Sequence, residues 1–76
     1  MSEEDRHWKE VAKGLVKGEL AKRSINYIQL SDKLKAIGVE ESPQNLSNKI
    51  ARGTFGAIFM LQIFDVIGCK NINLGD

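Results

Sequence analysis

Cysteine, proline, tryptophan, tyrosine and histidine each occur only once in this 76-residue chain. The lone Cys69 excludes an internal disulfide. With His7 as the only histidine, the ligands for a structural zinc are missing too. A single thiol without a partner suits a reducing compartment, so a cytoplasmic location is expected. The acidic opening Ser2-Glu3-Glu4-Asp5 lacks the basic-then-apolar layout of a secretory signal. Long apolar runs are absent as well. The longest, Ala57 to Leu61, has five residues against the ~18 that cross a bilayer, so no membrane partner is expected.

Catalytic groupings are missing in the same way. His7 has no serine or cysteine that helical periodicity would set beside it. Glu40 and Glu41 fall in a turn without a matched acid, and Gly53 and Gly56 punctuate helices rather than build a phosphate-binding loop. No enzyme activity and no cofactor are expected. A chain this short buries only about 60% of the surface its unfolded form exposes, so efficient helix packing or self-association has to supply stability.

The net charge of +1 conceals an uneven distribution. Residues 1–5 carry three acids and no base, residues 6–52 ten bases against five acids, and residues 53–76 one base and two acids. A basic middle suits a face for a polyanion, and equally an ordinary solvated helix surface.

Apolar spacing predicts four helices. Between Asp5 and Arg23, Trp8, Val11, Ala12, Leu15, Val16 and Leu20 recur every three or four residues, with Lys9, Lys13 and Lys17 on another face. Gly14 and Gly18 weaken this helix by roughly 1 kcal/mol each relative to alanine, and read equally as a place where another helix approaches closely or as tolerated weak spots. The second helix starts at Asn26, whose Gln29 three residues on completes a capping box. It turns Tyr27, Leu30, Leu34 and Ile37 inward and ends at Gly38. The third, Pro43 to Arg52, has Ser42 as N-cap and proline as first residue, Leu46 and Ile50 as its apolar pair, and Gly53 as stop. The fourth, Ala57 to Ile67, turns Met60, Ile63, Phe64 and Ile67 inward. Ile58, Phe59, Leu61 and Val66 leave it apolar nearly all round. That surplus calls for a cover, either a second copy or Leu74 folding back. Cys69, after Gly68, reads as a small buried hydrophobe. The expected fold is all-α, a four- to five-helix bundle forming one domain over residues 1–76. Residues 1–4 are expected as a disordered acidic tail and 69–76 as a C-terminal tail.

The middle of the chain carries the functional signal. A capped helix bearing Leu30 and Leu34, a turn with Gly38-Val39, a short polar helix, and the closing Ala51-Arg52-Gly53 are the parts of a helix-turn-helix. Residues 26–68 resemble Cro and phage-repressor domains, in which these parts and a hydrophobic helix ending in Ile/Leu-Gly follow in order. The spacing from Leu34 to Gly53 is longer than in that pattern, with Lys35 where a turn glycine is common and Ser31 where alanine is. The block Asn48-Lys49-Ile50-Ala51-Arg52-Gly53-Thr54-Phe55 gives a closer resemblance, over residues 8–68, to short, functionally undefined bacterial proteins sharing the whole layout and the Trp-containing first helix. These resemblances imply a lambda-repressor-like fold and a bacterial DNA-binding role.

With Leu46 and Ile50 inward, helical spacing turns Gln44, Asn45, Asn48 and Arg52 outward, flanked by Ser47 and Lys49. Asn and Gln pair with adenine edges and Arg with guanine, whereas Ser47 and Lys49 suit phosphates. Lys33 and Lys35, with Lys13 and Lys17 behind them, would add backbone contacts. The function expected is a transcription regulator reading duplex DNA with helix 43–52, as a homodimer through helix 57–67. The rival reading is a protein-interaction module, or an antitoxin-like protein, using the same fold.

Overall fold

The computed structural model describes residues 3–72 and residue 74. Its helices are α1 (Glu3–Lys22), α2 (Tyr27–Ala36), α3 (Pro43–Arg52) and α4 (Ala57–Ile67), with no strand among the described residues. The fold is all-α, a small bundle of four helices. α1 and α2 each pack across both α3 and α4. The core between them takes Val16 and Leu20 from α1, Leu30 and Leu34 from α2, Leu46 and Ile50 from α3, and Ile63, Phe64 and Ile67 from α4. Burial of each such side chain stabilises the fold by ~1.5–3 kcal/mol relative to exposure. Met60 packs on the edge of this core, half-buried.

The local signals for the helix ends act as their chemistry dictates. Asn26 Oδ1 accepts from the Gln29 N–H at 2.8 Å, and the Asn26 N–H donates to Gln29 Oε1 at 2.9 Å, which closes the capping box of α2. Ser42 Oγ accepts from the Asn45 N–H at 3.1 Å, and Pro43 opens α3. Gly53 ends α3 at φ 68°, in the left-handed region. Glycine there meets a second demand. A Cβ at residue 53 would stand 2.6 Å from the carbonyl oxygen of Lys9, so the turn after α3 lies against the backbone of α1.

Several expectations need correction. α1 begins at Glu3, so Glu3 and Glu4 form part of its acidic first turn rather than a disordered tail, with the helix dipole favouring them there. Met1 and Ser2 lie outside the described residues, as do Asn73, Gly75 and Asp76 of the C-terminal tail. Within the apolar stripe of α1 only Val16 and Leu20 are buried. Val11, Ala12 and Leu15 are half-buried and Trp8 is 61% exposed. Lys9 and Lys13, expected on a different face, are half-buried instead. At ~100° per residue the apolar arc of α1 is wide, and the core closes fully only over its Val16–Leu20 edge, with Leu15 packed beside it and Lys9 against the turn at Gly53. Ile37 is 47% exposed because α2 has already ended at Ala36. Cys69 is half-buried, its thiol donating to the Asn71 carbonyl at 3.2 Å. Leu74 does not cover α4. It lines a groove on α1 with Val11, Gly14, Leu15 and Gly18.

Candidate nucleic-acid interface

α3 is held from beneath by Leu46 and Ile50, both with no exposed surface. That anchoring fixes the rotation of the helix. Gln44, Asn45, Asn48 and Arg52 are consequently exposed, and Ser47 is half-buried at the flank. The amides are partly ordered by one another. Gln44 Nε2 donates to Asn48 Oδ1 at 3.3 Å, an i,i+4 pair along the outer face. Arg52 folds its Nε–H back to the Asn48 carbonyl at 3.4 Å. The Asn48 amide nitrogen and one N–H of Gln44 remain as donors, and the Gln44 carbonyl as an acceptor.

Residues 37–42 join α2 to α3 and are fastened from both sides. Ser31 Oγ on α2 donates to the Glu41 carbonyl at 2.6 Å, and Lys49 Nζ on α3 donates to the Glu41 carboxylate at 2.5 Å. Lys49 also stands 4.9 Å from the centre of the Phe59 ring, a cation–π contact with α4. Lys49, expected as a phosphate contact, therefore has its charge balanced within the fold. Lys33 and Lys35 are exposed on α2. Lys35 shares a surface recess with Asp32, Glu40 and Glu41, so one base stands among three acids, one of them paired with Lys49, beside the Ser42 end of α3.

On α1, Lys17 is exposed and Lys13 pairs with Glu10 at 3.2 Å. Glu19 receives both Arg23 and Lys22. The hydrogen bond from Arg23, then that from Lys22, holds its carboxyl below the ordinary glutamate value. This cluster closes the C-terminal end of α1 and stands apart from the α3 face in sequence and role.

Sequence reasoning missed the surroundings of the 53–55 turn. Trp8, Lys9 and Asp5 of α1 border a groove with Gly53, Thr54 and Phe55, while Lys49, Arg52 and Phe59 border a recess on the other side of Phe55. The signal was Gly53 itself, read only as a helix stop, although a left-handed glycine also marks close backbone approach. Among the described residues no group of His, Cys, Asp or Glu could hold a metal ion, and no helix is long and apolar enough to cross a membrane.

No curated protein and no solved structure matches the chain. A family model does, over residues 8–72, which covers Trp8, all of α2, α3 and α4, and the turns between them. That match takes in the core, the outer face of α3 and the 53–55 turn alike, and the chain accordingly belongs to the family described as a domain of unknown function, DUF6471.

Proposed function

We propose that the protein is a non-enzymatic, DNA-binding transcription regulator that lays α3 in the major groove of a duplex, in the manner of the Cro-type helix-turn-helix it resembles. One observation carries the reading. Three amide side chains, Gln44, Asn45 and Asn48, stand exposed along a helix whose opposite side is locked by Leu46 and Ile50. Amides in a row on a rigid helix match the donor–acceptor pattern of adenine edges. Ser47, Lys33 and Lys35 then contact the phosphates that set the register. A second copy would join through α4, where Ile58 is 75% and Leu61 56% exposed.

The test is a selection on random duplexes at two salt concentrations. An enriched motif is expected, with affinity falling steeply as salt rises. Asn48→Ala combined with Gln44→Ala should erase the preference while leaving the helical circular dichroism intact, because both side chains are exposed. No enrichment over the input pool at either salt would end the DNA reading. Sedimentation tests the dimer: a strict monomer at high micromolar concentration removes it. The second reading, a protein-interaction or antitoxin-like module, draws on the Lys49–Glu41 pair, which lowers the free positive charge, and on the apolar pair of α4. A contact of that kind would hold its strength through the same salt range.

A further inference from the structure

Arg52 lies at the wrong end of α3 to read bases in the expected mode. Base edges are met chiefly by the N-terminal part of a reading helix, and Arg52 is the last residue of α3. It lines a recess of about 290 Å³ with Thr54, Phe55 and Phe59. Beyond Thr54 and Phe55, which border both, lies a wider groove of about 410 Å³ walled by Trp8. A continuous path therefore runs from the end of α3, over Phe55, to the exposed indole of α1.

Charge changes along this path. Lys49 is neutralised by Glu41, and Arg52 makes no ion pair among the described residues, so the recess has a net positive charge. The far groove is bordered by Asp5 as well as Lys9. An anionic group is favoured on the Arg52 side, and in the far groove, bordered by one acid and one base, Trp8 and Phe55 offer flat apolar surface. A nucleic-acid strand alternates a phosphate with an uncharged, partly apolar sugar, and so offers both kinds of group to adjoining recesses of this kind. Resting on the reading of the protein as a duplex binder, we propose that Arg52, Thr54, Phe55 and Trp8 form a seat for the sugar–phosphate backbone of one DNA strand. Arg52 and the Thr54 hydroxyl hold a phosphate, and Trp8 and Phe55 cover the adjoining deoxyribose. Arg52 thus anchors the complex, and the amides of α3 alone choose the sequence. The seat is preformed, since Gly53 pins the turn to the Lys9 carbonyl.

Two measurements on the full chain test this, using the selected duplex and an unrelated one. Trp8 is the only tryptophan, so its emission reports on the groove directly. It should shift on saturation with either duplex. Arg52→Ala should weaken both duplexes by the same factor and lower the log–log salt slope by about 0.9, the signature of one lost phosphate contact. Trp8→Ala should also weaken both equally. Relaxed preference at a single base pair in Arg52→Ala, with the slope unchanged, would overturn the seat and make Arg52 a base reader. Unmoved Trp8 emission at saturation would overturn it as well. Either of those results leaves duplex binding by the parent intact and so spares the broader reading. Failure of the parent to bind any duplex removes both.

Discussion

Gly53→Ala should be the most damaging single-methyl change in this protein, and a matched glycine isolates why. Gly38 and Gly53 both adopt left-handed backbone, at φ 85° and φ 68°. An alanine at either position meets the steric penalty of that region, about 1–2 kcal/mol. At Gly38 nothing lies within 4 Å of the added methyl, so the cost stops there. At Gly53 the methyl would stand 2.6 Å from the Lys9 carbonyl oxygen and 3.1 Å from its carbon. Both are backbone atoms of α1, which cannot swing aside as the tip of a side chain can. Overpacking of that kind adds about 1–3 kcal/mol, for a total of roughly 2–5 kcal/mol. A domain of 76 residues holds a total stability of only about 4–11 kcal/mol, so Gly53→Ala should be largely destabilised where Gly38→Ala is not. Urea unfolding followed by circular dichroism measures both. Equal losses in the two variants would refute the claim that α1 and the 53–55 turn touch through their backbones.

Gly14→Ala and Gly18→Ala should each raise stability by up to about 1 kcal/mol in thermal melts, because both sit inside α1 and an added Cβ meets nothing within 4 Å. Glu19, whose carboxyl is held below its ordinary value by Arg23 and then Lys22, stabilises the fold when ionised. That contribution is complete above the unfolded-state value and is lost as pH falls through the lowered folded value. An NMR titration should show the Glu19 midpoint rising in Arg23→Gln.

The ends of α3 and α4 were legible from sequence because single residues set them. Pro43 after Ser42 suits the first turn of a helix, and Gly53 and Gly68 adopt backbone that few other residues tolerate. The inner edge of α1 was not legible. Spacing identifies an apolar arc but not which part of a wide arc meets the core, and here the neighbours cover the Val16–Leu20 edge. Trp8, the largest apolar side chain, was left outside, and the aliphatic stem of Lys9 was drawn in under the turn. The outer face of α3 followed directly from Leu46 and Ile50, since two fixed points determine the rotation of a helix. The pairing of Lys49 with Glu41 did not, because the path of residues 37–42 depends on how α2 and α3 meet in space.

The doubly fastened link between α2 and α3 bears on how anything can dock there. A loop held at Glu41 by Ser31 on one side and Lys49 on the other resists hinging, which favours the two helices moving together. A visitor finds α3 already in its final pose, and little ordering entropy is lost on docking. Any fitting on docking then falls to the visitor rather than to the protein. On the proposed reading of α3 as a DNA reader, duplexes that present the same base edges to its amides would differ in affinity by how cheaply they bend or widen to meet it.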